Sequence, residues 1–111
     1  MNKEFIEEFS KLTEDVYNNS VSHGFHDAPF NFGEKIALIH TELSEALEVH
    51  RTMRLARDKH LPDYLAINVE LADAVIRIMD LAQAMDLSLG AAIVAKHEFN
   101  KARPHKHGKS Y

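Results

Sequence analysis

Four carboxylates at matched spacing are the residues of this chain with the clearest capacity for chemistry. Glu42 and Glu45 are three residues apart, and Glu70 and Asp73 repeat that separation. Residues at i and i+3 are neighbours on one face of a helix, so each pair can direct two carboxylates at one point. Two such pairs on facing helices would suit a hard divalent cation. Either pair alone is typical of a solvated helix face, but together they predict a metal site made of all four carboxylates.

The ligand types favour Mg²⁺, with Mn²⁺ as the alternative. Di-iron carboxylate bundles place a histidine three residues after a glutamate. No glutamate in this chain has a histidine at that position, and the absence of cysteine excludes thiolate ligands. Mg²⁺ commonly shares its coordination shell with substrate phosphates. The carboxylates therefore indicate a ligand that carries phosphate. Glu48 extends the first pair by three residues and is expected to be an ordinary solvated glutamate.

Helices are expected to position these residues within one all-α domain that covers residues 1–111 and resembles a four-helix bundle. Apolar residues at helical spacing predict four helices, over about residues 3–19, 34–57, 63–85 and 89–102. Gly, Pro and Asn predict a loop over residues 20–32, and Leu61-Pro62 predicts the break before the third helix. Ser88 is a plausible N-cap for the fourth helix.

The third helix is apolar around about two-thirds of its circumference, so we expect it to pack on several sides. Its polar remainder is one narrow stripe, formed by Glu70, Asp73, Arg77 and Asp80. The stripe should line a cleft, and Arg77 should pair with the aspartates of its own helix. On the second helix the apolar arc extends past Glu42 and has Glu45 near its edge. Burying an unpaired carboxylate costs several kcal/mol, which a cation or a facing base would remove.

Cations and aromatic rings supply further candidate ligand contacts. Lys96, Asn100 and Arg103 share one face of the fourth helix, and Lys109 follows in a basic tail. They could contact phosphate oxygens, although cations near a helix C-terminus also complement its dipole. The predicted loop carries three aromatic residues that could either stack on a nucleobase or plug the end of the bundle: Phe25, Phe30 and Phe32.

Composition restricts the classes of partner. The formal net charge is −4, so the basic footprint of a general nucleic-acid-binding protein is absent. The N-terminus has no apolar signal core, and no apolar run is long enough to span a membrane. We therefore expect a soluble, cytoplasmic protein without a nucleic-acid or membrane partner.

Three segments together carry a resemblance to a known family. They are EKIALIHTELSEALE at residues 34–48, VELADAVIRIMDLA at residues 69–82 and KHEFNKARPHKHGK at residues 96–109. With a gap of 24 residues between Glu45 and Glu70, this pattern resembles the signature of small, single-domain MazG-type nucleotide pyrophosphohydrolases. Many members carry a further acid immediately before the first pair, where this chain has Thr41, so a role for that acid does not carry over.

The resemblance implies an all-α pyrophosphohydrolase that is at least a homodimer and often a homotetramer. It implies Mg²⁺-dependent hydrolysis of a (deoxy)nucleoside triphosphate to the monophosphate and pyrophosphate, which would remove unwanted nucleotides from the pool. The four carboxylates would hold the metal, and Glu42 or Glu45 would deprotonate the attacking water. Lys96, Asn100, Arg103 and Lys109 would contact phosphate oxygens.

Two alternatives stay open. A related helical hydrolase could use the same metal chemistry on dUTP, dUDP or phosphoribosyl-ATP, and a non-catalytic binding module could use the charged stripes as recognition surfaces. The sequence leaves the preferred base and sugar open.

Overall fold

The computed structural model describes residues 2–110 and is all-α over that range, with four α-helices, which confirms the all-α part of the prediction. Four α-helices follow one another along the chain: α1 (Asn2–Ser22), α2 (Phe32–Thr52), α3 (Ala66–Ala84) and α4 (Leu89–Lys101). A short 3₁₀ helix, His105–Gly108, follows α4. Among residues 2–110, no single helix is long and apolar enough to cross a membrane; α3 and α4 pass that test only as a pair, with a bend of 115°.

The connection between α2 and α3 is longer than the sequence predicts. Helix α2 ends at Thr52 instead of residue 57, and α3 begins at Ala66 instead of residue 63. The Asp58 carboxylate accepts hydrogen bonds from the backbone N–H groups of His60 and Leu61, each at 2.9 Å. Such a side-chain bond gives the backbone an alternative to the helical ladder, which explains why helix-forming residues are not helical here.

The loop between α1 and α2, residues 23–31, is held at both ends. Helix α1 continues to Ser22, three residues beyond its predicted end, and Gly24 then takes a left-handed backbone conformation with φ of +83°. At the other end, Asn31 caps α2 by accepting a 3.0 Å bond from the N–H of Glu34. Ser88 occupies the N-cap position of α4, as predicted, but its side chain makes no capping bond.

Helix α3 is the central element of the packing. It contacts α2 on one side and α1 on another, while α4 packs mainly on α1. The buried apolar side chains form a small core: Ile39, Ala46, Ala74, Met79, Leu81 and Ala82. The single chain therefore covers only part of α3.

Much apolar surface remains open. The accessible surface is 8609 Å², whereas a compact monomer of this mass would expose about 6200 Å². The radius of gyration is 16.3 Å, against about 13 Å for a compact chain of this length. Helices α2 and α3 together present an open apolar face whose members are each 38 to 62% exposed: Leu43, Leu47, Leu71, Val75 and Ile78. Within one chain α3 therefore packs on two sides, against α2 and α1, and the rest of its apolar surface stays exposed because α4 lies mainly against α1.

Replacing Gly24 by alanine should destabilise the protein, whereas the same change at Gly33 should not. A side chain at φ of +83° is strained, and the new Cβ would lie 3.1 Å from an oxygen of Asp27. We expect Gly24→Ala to lower the free energy of unfolding by about 1 kcal/mol in urea denaturation. At Gly33, in the first turn of α2, the added Cβ has its nearest contact at 3.5 Å. Equal stabilities of the two variants would contradict the role assigned to the Gly24 turn.

Candidate metal centre and adjoining cleft

Three of the four predicted metal ligands come together between α2 and α3. Glu42 and Glu45 on α2 and Glu70 on α3 each offer a carboxylate oxygen, and these oxygens lie within 4.8 Å of one another. We call these three residues the acidic cluster. The one-turn spacing brings the two α2 residues to one side of their helix, and the packing of α2 on α3 brings Glu70 to them. Glu42 is buried, as its position in the apolar arc predicts.

Burial and crowding change the titration of Glu70. Its pKa is raised from 4.5 to about 7, first because burial disfavours the charged form and then because protonated Glu70 can hydrogen-bond to Glu45. The negative charges of Glu45, Asp73 and Glu42 add to the shift. Oε2 of Glu70 is buried and has no hydrogen-bond partner. In the ionised state this oxygen has no donor, so either a proton or a cation is needed to satisfy it.

Asp73 lies beside the acidic cluster but outside the group within 4.8 Å. Its pKa is raised, mainly by burial and next by the charge of Glu42. The negative charge of Asp58 also raises the pKa of Asp73, so the loop between α2 and α3 lies close to the site. Sequence reasoning missed Asp58. Its only signal was an Asp followed by a turn, and that pattern does not reveal which helix the turn approaches.

The donor set suits a hard divalent cation. All the clustered ligand atoms are carboxylate oxygens, the chemistry that Mg²⁺ and Mn²⁺ prefer. A cation there would satisfy the buried oxygen of Glu70 and reduce the repulsion that raises its pKa. Glu42, Glu45 and Glu70 are therefore the residues that could hold such an ion, and Asp73 lies beside them.

Arg77 pairs across the helices. The sequence predicts ion pairs with Asp73 and Asp80 on its own helix, and that prediction is wrong. Instead, Nε of Arg77 donates a 2.8 Å bond to Oε1 of Glu42 on α2. The two helices face each other along this stripe, so a carboxylate of α2 lies within reach of the guanidinium, while Asp80 is already bonded to His26 and Ser20.

Asp80, at the C-terminal end of the stripe, links α3 to the loop of residues 23–31. Asp80 accepts a 2.9 Å bond from Nε2 of His26 and a 3.1 Å bond from the hydroxyl of Ser20. The side chains of His26 and Asp80 are only 14% and 18% exposed. The ring of Tyr17 lies 4.8 Å from the His26 ring. Neither His26 nor Tyr17 stood out in the sequence, because their partners are distant along the chain.

A cleft of about 470 Å³ adjoins the acidic cluster, between α1, α2, α3 and the loop of residues 23–31. That volume lies within the range of small-molecule sites. The stripe of α3 lines it, as predicted, through Asp73, Arg77 and Asp80. The other lining residues are Asp15, Val16, Asn19, Ser20, Phe25, Lys35, Leu38, Glu42 and Ile76. Carboxylates, cations and apolar side chains thus meet in one space.

The aromatic residues of the predicted loop do not plug the end of the helices. Phe25, Phe30 and Phe32 are 64, 52 and 49% exposed. Phe25 lines the cleft, where its ring is available to a planar ligand, and its backbone oxygen accepts a 3.3 Å bond from Lys35.

The predicted phosphate ligands of α4 and the tail lie elsewhere. Lys96 and Arg103 flank the ring of Phe99, at 4.8 and 5.5 Å from its centroid. Oδ1 of Asn100 is buried without a hydrogen-bond partner. None of the four predicted phosphate ligands lines the cleft: Lys96, Asn100, Arg103 and Lys109. Within one chain, the structure therefore does not bring this set to the acidic cluster.

Glu48 lies outside the acidic cluster. Its exposed carboxylate accepts a 3.1 Å bond from Arg51 on the same helix, as expected of an ordinary solvated glutamate.

Divalent-cation binding should strengthen as the pH rises through about 7. Below that pH an ion must displace the proton of Glu70, whose pKa is about 7, and well above it no proton is displaced. We expect the affinity for Mn²⁺ to rise from pH 6 to pH 8 and then level off, with about half a proton released per ion at pH 7. Calorimetry in buffers of different ionisation enthalpy measures both quantities. Proton-independent binding would contradict this arrangement.

The same pKa sets the sign of the pH dependence of stability without metal. A carboxyl whose pKa is raised from 4.5 to about 7 by folding stabilises the protein below pH 4.5, and this stabilisation is lost as the pH rises through 7. Above pH 7, Glu70→Gln should therefore be more stable than the wild type, by about 1 kcal/mol after allowance for water near the site.

Comparison of the chain with protein-family models, with curated proteins and with solved structures gives no match. The functional interpretation therefore depends on the site itself.

Proposed function

We propose that this protein hydrolyses (deoxy)nucleoside triphosphates to the nucleoside monophosphate and pyrophosphate, with Mg²⁺ as its metal. The observation that carries the proposal is the convergence of Glu42, Glu45 and Glu70 on one point beside a cleft of about 470 Å³. The carboxylates match the ligand preference of an ion that commonly binds substrate phosphates, and the cleft has room for the remainder of the nucleotide.

Glu42, Glu45 and Glu70 would hold the metal, and Asp73 would complete the set. When bound, Mg²⁺ would neutralise the triphosphate and polarise the phosphorus that is attacked. Glu45 is the better candidate for accepting the proton of the attacking water, because it is exposed while Glu42 is buried. Water adds to the α-phosphorus as the bond to the bridging oxygen breaks, and pyrophosphate leaves with that oxygen.

The cleft would receive the nucleoside. The exposed ring of Phe25 provides an aromatic surface for a base, and Asn19 and Asp15 of α1, which line the same cleft, provide hydrogen-bonding groups. The bonds from His26 and Ser20 to Asp80 fix the loop that carries Phe25 relative to α3. A positioned loop lowers the entropic cost of ordering the site around a ligand.

We further propose that the working unit is a homodimer or homotetramer with the four-helix, bundle-like architecture of the MazG-type enzymes. One chain exposes about 2400 Å² more than a compact monomer of its mass. A standard interface needs about 800 Å² from each partner, so this excess is sufficient for one. A second copy could also bring Lys96, Asn100 and Arg103 of its own α4 to the substrate phosphates.

Incubation with each NTP and dNTP in the presence of Mg²⁺ tests the reaction. We expect the monophosphate and pyrophosphate as primary products, and Glu45→Gln should lower kcat by at least about 100-fold because a proton acceptor and metal ligand is lost. Glu48→Gln is the matched control, since Glu48 lies on the same helix but outside the acidic cluster.

Orthophosphate as the primary product would overturn the proposed reaction, as would the absence of turnover with every nucleotide. Including dUTP, dUDP and phosphoribosyl-ATP in the panel separates the related hydrolases. Equal loss of activity in the two variants would show that the acidic cluster has no special role.

Association through the open apolar face is tested by size-exclusion chromatography with light scattering. We expect a mass of at least twice the 12.6 kDa of one chain. Leu47→Asp places a charge on that face at a residue 62% exposed in one chain, and should weaken the dimer at least tenfold. Leu55→Asp is the control, because Leu55 is 80% exposed in the loop between α2 and α3. A wild-type monomer would contradict the proposal.

A further inference from the structure

Among residues 2–110, the four predicted metal ligands take part in one ion pair, which Glu42 forms with Arg77. Its Nε lies 2.8 Å from Oε1 of Glu42, the most deeply buried of the clustered carboxylates. The Glu42 side chain is 12% exposed and the Arg77 side chain is 38% exposed. Without this contact, Glu42 would be a buried charge with neither a donor nor a counter-ion.

Arg77 also belongs to the cleft. It lines the cleft together with Glu42 and Asp73, and it follows Asp73 by one helical turn. A guanidinium has five N–H donors, and the bond to Glu42 uses the Nε hydrogen alone. Since the side chain is more than one-third exposed, its other donors are accessible to a ligand in the cleft. One cation therefore stands between the acidic cluster and the space beside it.

Arg77 and a divalent cation would compete for the same carboxylate. The clustered oxygens of Glu42, Glu45 and Glu70 lie within 4.8 Å, so an ion among them would be close to the guanidinium on Oε1 of Glu42. Two positive groups at such separations repel each other. The ion gains several oxygen ligands at once, whereas Arg77 gains one hydrogen bond, so the ion prevails once its concentration suffices.

We propose that Arg77 is a built-in counter-ion of the metal centre: a divalent cation displaces it from Glu42, and the released guanidinium binds a phosphate group in the adjoining cleft. The first step rests on the metal centre of the proposed function, and the second step rests on its phosphate-bearing substrate. A guanidinium binds phosphate through paired N–H donors, a geometry that its single bond to Glu42 does not use. The exchange makes the phosphate subsite dependent on the metal and discourages ligand binding before the ion is present.

The first test measures the affinity of the protein for Mn²⁺, which is monitored through the spectroscopic signal of the unbound ion. In Arg77→Met the competitor is removed and the length of the apolar stem is largely kept, so Mn²⁺ should bind at least about fivefold more tightly than in the wild type. Arg51→Met is the matched control, because it removes an exposed arginine that pairs with a glutamate outside the acidic cluster. Its affinity should be unchanged. Unchanged or weaker Mn²⁺ binding in folded Arg77→Met would overturn the proposal.

The second test uses the wild-type protein, so it does not depend on whether a variant folds. NMR of the arginine Nε–H groups should show one signal protected from exchange with water, assigned to Arg77 because it is missing in Arg77→Lys. Saturating Mg²⁺ should remove that protection as the bond to Glu42 breaks. Protection that persists at saturating Mg²⁺ would overturn the displacement step.

The released guanidinium is tested with inorganic tripolyphosphate at a fixed concentration of free Mg²⁺. Arg77→Met should bind it at least about tenfold more weakly than the wild type, while binding Mn²⁺ alone more tightly. Opposite shifts for metal and polyphosphate are not expected of a residue that only supports the fold. Equal tripolyphosphate affinity would overturn the second step. An absence of nucleotide turnover would refute the proposed function but leave these binding results interpretable.

Discussion

The crowding of three carboxylates at the contact between α2 and α3 is the constraint on which the rest of the structure depends. Oxygens of Glu42, Glu45 and Glu70 lie within 4.8 Å of one another in a partly buried place. Like charges at that distance repel, and burial adds a desolvation cost to each. Without metal, the protein relieves the repulsion in two ways: Glu70 binds a proton more tightly, and Arg77 pairs with Glu42. A divalent cation at the acidic cluster would take the place of both the proton on Glu70 and the guanidinium of Arg77.

Helix α3 carries residues of both the acidic cluster and the adjoining cleft. Its polar stripe contributes Glu70 and Arg77 to the contact with α2, and Asp80 to the contact with α1 and the loop of residues 23–31. Any rotation of α3 that improved one of these contacts would disturb the other. The separation between the acidic cluster and the loop carrying Phe25 is therefore set by one rigid element, as a site for a ligand of fixed length requires.

Local geometry explains what the sequence predicted well. The convergence of Glu42 and Glu45 follows from helical periodicity, and the burial of Glu42 follows from the apolar residues around it. The partner of Arg77 was predicted wrongly because ion pairs within a helix can be read from spacing, whereas a pair across helices depends on how those helices pack. The same reason hid the bond between His26 and Asp80, which are 54 residues apart.

The end of α2 shows a second limit of sequence reasoning. Residues 53–57 include several good helix formers, so periodicity alone extends the helix to residue 57. The loop instead gains the two bonds to Asp58, a 3.0 Å bond from the N–H of Asp58 to the Tyr64 carbonyl, and a 2.8 Å bond from the N–H of Ala66 to the Ala56 carbonyl. These contacts outweigh weak intrinsic propensity, and they bring Asp58 near Asp73.

The open apolar face and the position of α4 lead to one explanation. Leu43 and Leu47 on α2 and Val75 on α3 belong to the helices that carry the acidic cluster, so a second copy bound to this face would lie near that cluster. In one chain, α4 packs on α1, and its cations contact Phe99 instead of the cleft. A partner that covered the apolar face would remove its exposure to water and could place a second set of cations near the carboxylates. Association and the completion of the phosphate site would then be the same event, and a lone chain would hold a metal more readily than it would process a nucleotide.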